Sequence, residues 1–191
     1  MELVEGRPLS GLLADGALEL DRFNDLFQAL FAIDLYFARR YDEAIVLART
    51  ALRTTPRHPA ALVGLWLAGS RAGHREEALA AAKGFLDVCY ADSGAGEALG
   101  QGSAAGGYPE GMRRAAMALA AQFPGSYVAP GDIAQFFAEA GEGGQSLEWL
   151  ERAFEVRDPN LPYIGMPAFD DLRSDPRYQA LRQRLKLVPP S

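Results

Sequence analysis

The stretch Tyr41–Pro59, YDEAIVLARTALRTTPRHP, decides the fold. It opens on a helix start, Tyr-Asp-Glu-Ala, and carries small residues at Ala44, Ala48 and Ala51. It stops at Pro56, which has no amide to donate to a continuing helix. Ala78 lies 34 residues beyond Ala44, in HREEALAAAKGFL, a segment of the same design. Two further periods reach Ser146 in GGQSLEWLERAF, with Met112 between them in the same phase. Pro124 repeats Pro56 at twice that spacing. A period of this length, built from helix pairs, marks units that bury their apolar faces only by stacking on one another.

Upstream, Phe23, Leu26, Phe27, Leu30, Phe31, Leu35 and Tyr36 recur mostly at spacings of three and four, one broad apolar face of a helix with Asp21 as its N-cap. The small residues of the following segment let that helix approach the next one closely. These residues resemble the tetratricopeptide repeat (TPR) family. Its core positions in the first helix fall on Phe31, Ala32 and Leu35, and those in the second on Ala44, Ala51 and Pro56. The likeness implies four TPR-like repeats across 25–160, namely 25–58, 59–92, a degenerate 93–126, and 127–160. The expected fold is an all-α, right-handed TPR-like solenoid of about four helix pairs plus a C-terminal capping helix.

In the second repeat a bulky Trp66 stands where the family has a small residue, and Gly69 stands where it has a bulky one. Trp66 either fills the space that Gly69 vacates or presents an edge to the groove. Gly73, Gly107 and Gly141 make the turns within the repeats. The third repeat opens on the linker-like SGAGEALGQGSAAGG, and Pro109 suits the first turn of its second helix. Each interior glycine weakens a helix by about 1 kcal/mol, so this is expected to be the weakest helix. The run follows no predicted strand and has no P-loop lysine, so it reads as a repeat helix rather than a phosphate loop. Trp149 is expected to pack against the helix that follows its own.

Both ends depart from the repeat. Segment 1–24 reads as an N-terminal strap or cap. Met1–Leu13 resembles the hinge strand of bacterial serine/threonine kinases, although no H-R-D, D-F-G, Gly-rich loop or V-A-I-K lysine accompanies it. It is either a structural strap or the remnant of a kinase-plus-repeat gene. In the tail, 161–191, Asp175-Pro176 starts a capping helix with Tyr178, Leu181 and Leu185 on its apolar stripe and a basic opposite face. From Tyr127 onward the chain is also similar to the TPR regions behind bacterial adenylate cyclases, kinases and winged-helix regulators. That likeness implies a regulatory or scaffolding role.

Composition narrows the function. The net charge of −6 argues against a nucleic-acid partner, and no apolar run approaches a membrane span. A single cysteine, Cys89, excludes an internal disulfide or a cysteine-based metal site and is expected to be buried as a small hydrophobe. Glu2 and Glu5 sit where a signal peptide would be positive, which points to the cytoplasm. His58 and His74 fall in loops. Asp170 and Asp171 are adjacent and make a poor acid/base pair. No catalytic motif is present, so no enzyme activity, cofactor or metal is expected.

What remains is the groove lined by the first helix of each repeat. The first repeat contributes Ile33, Tyr36 and Phe37, and the second Val63, Trp66, Leu67 and Arg71. The third contributes Gln101, and the fourth Gln135 and Glu139. The Lys and Asn clamp with which some family members hold a terminal carboxylate is missing. The expected function is therefore a non-catalytic protein–protein interaction or scaffolding module that holds a peptide, a partner protein or a second copy of this chain. Tyr36 and Phe37 serve either such a partner or the strap Leu9–Leu20. The alternative is a small-molecule-binding protein or enzyme with a pocket under Trp66 or Tyr36.

Overall fold

The computed structural model describes residues 3–4, 7–8, 20–125 and 128–187. Leu3–Val4 and Arg7–Pro8 pair as a two-residue antiparallel ladder, and the described residues from Leu20 onward form helices joined by short connections. Apart from that ladder, the Met1–Leu13 likeness and the strap Leu9–Leu20 lie outside the described residues up to Glu19. Helices α1 (Leu20–Phe37), α2 (Tyr41–Thr54), α3 (Pro59–Ala72) and α4 (Arg75–Cys89) follow in short order. Then come α5 (Ala95–Gln122), α6 (Pro130–Glu139), α7 (Gly143–Val156), short 3-10 turns over Leu161–Gly165 and Pro167–Leu172, and α8 (Pro176–Arg184). Asp21 lies inside α1 rather than at its cap.

The 34-residue period is written into the backbone. Arg39, Gly73, Gly107 and Gly141 all take left-handed φ values, of 63°, 85°, 76° and 80°. Each ends one helix and points the chain back along it. After Gly73 and Gly141 the next amides, His74 and Glu142, reach back to Gly69 and Phe137 carbonyls at 2.8 and 2.9 Å, closing the helix end as a left-handed residue allows. Arg39 does the same without glycine's freedom, with Arg40 bonding to Leu35. The in-phase Ala44, Ala78, Met112 and Ser146 are fully buried. α1 packs on both α2 and α3, so consecutive pairs stack.

Glycine in the third unit permits contact rather than slack. Gly106 and Gly107 break α5 into two arms. A methyl at Gly102 would meet the Glu110 carbonyl oxygen at 2.6 Å and Gly111 Cα at 2.9 Å, so the arms touch backbone to backbone. Leu99 on the first arm is buried.

Some sequence expectations need correction. Phe31 is exposed, along with Leu26 and Leu30, because α1 belongs to the first unit and no described repeat packs on its outer side. Cys89 is exposed at the end of α4. Trp66 does not fill the space left by Gly69, since a Cβ there would meet Ala78 of α4 at 3.4 Å. Trp149 packs edge-on against Phe123 at 5.6 Å, at the end of α5, and also against the apolar cluster of α7, the 3-10 turns and α8. His58 is half-buried and caps α3 by accepting from the Ala61 amide.

The stack curls until its ends meet. Trp66 of α3 stacks on Phe136 of α6 with ring centres 4.3 Å apart. Phe37 meets Tyr163 at 6.1 Å. Arg39 makes a two-pronged pair with Asp170 at 2.6 and 3.0 Å. A second apolar cluster of α7, the 3-10 turns and α8, centred on Leu147, Ile164, Phe169 and Tyr178, covers the last unit. Asp175 caps α8 by accepting from the Arg177 amide.

Candidate functional site

Because the stack curls, the inner faces of α1, α3 and α6 enclose a cleft with the turn that follows α7. Its volume is about 730 Å³, within the usual range for ligand sites. The walls are apolar and aromatic. Ile33, Tyr36 and Phe37 descend from α1, Val63, Trp66 and Leu67 from α3, and Tyr163 and Met166 close the far side. Seven of the ten groove residues chosen from sequence line this one cleft, Gln135 being the seventh. Tyr36, Trp66 and Leu67 form its buried base, and Ile33, Phe37 and Val63 are half-buried. Gln101 is not brought in. It lies exposed on α5, bonded to Glu97 at 2.9 Å.

Arg71 and Glu139 sit one turn beyond the cleft on α3 and α6, where they join the two helices. The Glu139 side chain is 2% exposed and accepts from Arg71 Nη2 at 3.3 Å. Tyr108 donates to the same carboxylate at 2.7 Å, as does the Ser70 hydroxyl. Trp66 Nε1 donates to Tyr108 at 3.0 Å, which ties the cleft base into the network. Arg71 also reaches the Ala168 carbonyl at 3.3 Å. Burial, with the Glu139 charge nearby, pushes the Tyr108 and Tyr36 phenols above their usual range. Burial is the largest single influence on the Arg71 guanidinium and works against its charge, but Glu139 together with Tyr36, Asp171 and Tyr41 leaves its pKa raised.

The opposite end of α6 carries a different carboxylate. Asp132 lines the cleft in the first turn of the helix and accepts one hydrogen bond, from Tyr90 at 2.6 Å. Burial pushes its pKa up to about 6. The Tyr90 bond pulls the other way, and the nearby Asp158 charge adds to the rise. Gln135, three residues further on, is 7% exposed and lines the cleft, and no described residue hydrogen-bonds its carboxamide. The exposed Asn160 and Asp34 complete the polar lining.

Sequence reasoning did not single out Asp132, Asn160, Tyr163 or Met166. The three outside α6 come from the tail or its border, where the repeat register gives no hint of facing α1. Asp132 precedes Gln135 by one turn, and its acidity in the first turn of a helix reads as ordinary helix capping.

Among the described residues no group of three or more His, Cys, Asp or Glu is placed to hold a metal ion. No described helix is long and apolar enough to cross a membrane. No family model, curated protein or solved structure matches the chain.

Proposed function

We propose that the chain is a TPR-like solenoid acting as a non-catalytic docking module, with the cleft between α1, α3 and α6 holding an apolar segment of a partner protein. The left-handed turns at Arg39, Gly73, Gly107 and Gly141, together with the buried in-phase helix starts, support the repeat reading. The observation that carries the function is convergence. Side chains from four separate stretches, around Tyr36, Trp66, Gln135 and Tyr163, meet around one open apolar space. Apolar lining with few polar groups is what binding sites need, and aromatic walls favour anchoring contacts. Regulation or scaffolding in the cytoplasm belongs to the same reading.

Selection of random peptides on the full chain tests it. Val63→Trp projects an indole into the half-filled cleft, whereas Gln101→Ala alters a distant surface. Selected apolar peptides should lose about ten-fold or more in affinity for the Val63→Trp variant and bind Gln101→Ala as they bind the parent. Peptides indifferent to Val63→Trp would place docking elsewhere.

A small-molecule site is the second reading, favoured by Asp132, since a raised carboxyl in a cleft is a common mark of one. Reproducible thermal stabilisation by a single metabolite, abolished by Val63→Trp, would favour it over the docking module.

A further inference from the structure

We infer that the segment held in the cleft carries a lysine or arginine, whose positive charge seats at the Asp132–Gln135–Asn160 end. This rests on the docking reading above. Charge points to it first: among the described residues the cleft lining holds the carboxylates of Asp34 and Asp132 and the amides of Gln135 and Asn160, with no lysine, arginine or histidine. An apolar segment bearing a carboxylate would be repelled there, while one bearing a cation would be drawn in.

The state of Asp132 adds to this. A partly buried carboxylate is ordinarily paired with a cation, and among the described residues this one has only the neutral Tyr90 hydroxyl. The other titratable groups near it are Cys89 at the end of α4 and Asp158 after α7, and neither supplies positive charge. Asp158 is spent on the Gly131 and Asn160 amides, at 2.8 and 2.9 Å. Burial with no cation present is why the Asp132 pKa rises.

Gln135 is the independent sign of a ligand. The residue is 7% exposed and lines the cleft, and no described residue hydrogen-bonds its carboxamide. A carboxamide on a cleft wall without a protein partner is free to bond what enters. One turn from Asp132 on the same helix, its carbonyl oxygen is placed to accept a second bond from an ammonium or guanidinium. The occupant reads as a peptide rather than a small amine because the apolar stripe does not end at the mouth. Leu30 lines the cleft while 49% exposed, and Leu26, one turn earlier on α1, continues the stripe outside it. A ligand covering both is longer than the cleft.

The test uses capped peptide pools, Ac-Gly-Ser-Z-Z-X-Z-Z-Ser-Gly-amide, in which Z is a mixture of Leu, Ile and Phe and X is Lys, Arg, norleucine or Glu. Binding to the full chain is measured by calorimetry at neutral pH. The Lys and Arg pools should bind about ten-fold tighter than the norleucine pool, with the Glu pool weakest. Asp132→Asn, which keeps an acceptor for Tyr90, should bring the Lys pool to within about two-fold of the norleucine pool measured on the same variant. Gln135→Leu gives the same readout should Asp132→Asn fail to fold. Norleucine binding as tightly as Lys overturns the cation and leaves the docking module standing. A Lys preference that survives both variants overturns this end of the cleft as its seat. No pool binding below about 1 mM removes the docking reading and this inference with it.

Discussion

Asp132 and Glu139 stand on the same short helix, α6, two turns apart, and both turn toward the interior of the curl. Glu139 is met by a guanidinium and two hydroxyls brought from α3 and α5. Asp132 is met by one phenol and an open cleft. At the Glu139 end α3 and α5 are tied to α6 through polar groups, with Arg71 Nε left as a buried donor without a partner. At the Asp132 end the first and last units stand apart and leave a carboxylate and an amide without their full complement of partners. A carboxylate met by donors from two other helices reads as a structural joint, and one that faces open space reads as a place for a ligand. Substitutions along α6 and its neighbours should therefore have opposite signs at the two ends.

The largest effect is expected where the two ends share a residue. Trp66 stacks on Phe136 and donates to Tyr108, so it serves the joint and forms the cleft base. Trp66→Ala should destabilise the fold by about 4 kcal/mol, read by urea denaturation, because a large buried ring leaves a cavity and a hydroxyl without its donor. A loss below about 1 kcal/mol would mean the curl is not held at Trp66.

Next is the joint itself. Glu139→Ala should cost about 3 kcal/mol, since it strands Ser70, Tyr108 and Arg71 together. Glu139→Gln keeps an acceptor for the hydroxyls and should cost roughly half as much. Equal costs for the two would show that the charge, rather than the hydrogen bonds, holds α3 to α6.

At the open end the sign reverses. The Asp132 carboxyl has a pKa of about 6 when folded, against about 4 in an unfolded chain. The folded state thus holds its proton more tightly, and this group's contribution to stability falls as pH rises from about 4 to 6. Asp132→Asn should therefore be more stable than the parent by about 2 kcal/mol at pH 7.5, with the gap closing near pH 4. Urea titrations of both proteins at the two pH values check this. A gap independent of pH would remove the uncompensated carboxylate from the comparison.

How much of this was legible in the sequence follows the range of the interactions. The helix pairs were readable because their causes are local: small residues at Ala44 and Ala78, stops at Pro56 and Pro124, and turn glycines at 73, 107 and 141. Most of the cleft wall was readable too, since the repeat register places Ile33, Tyr36, Val63 and Leu67 on one side. The closure was not. Whether Trp66 reaches Phe136, or Ser70 reaches Glu139 sixty-nine residues away, depends on small rotations accumulated over several units. The sequence does not state those rotations. The same gap hid Tyr163 and Met166 and gave Phe31 a core position where no described neighbour covers it. The Gly102–Gly111 approach looked like a linker because a glycine's use for contact becomes visible only with its partner in place.

The smallest expected effect concerns the outermost joint. Arg39 pairs with Asp170 across the curl, as Arg71 pairs with Glu139, but at the surface. Exposed pairs contribute little, because water screens them and two long side chains must be held still. Arg39 also sits at φ 63°, where its three in-phase counterparts are glycine. A side chain in that conformation costs about 1 kcal/mol or more relative to glycine. Replacing Arg39 by glycine removes the pair and the strain together, and the strain should be the larger of the two. Arg39→Gly is thus expected to raise the thermal midpoint by about 2 °C, while Arg39→Ala, which keeps the strained backbone and loses the pair, should lower it slightly. If Arg39→Gly instead lowers the midpoint as far as Glu139→Ala does, the surface joint bears on the curl as strongly as the buried one, and the distinction between the two carboxylates of α6 no longer explains what holds the ends together.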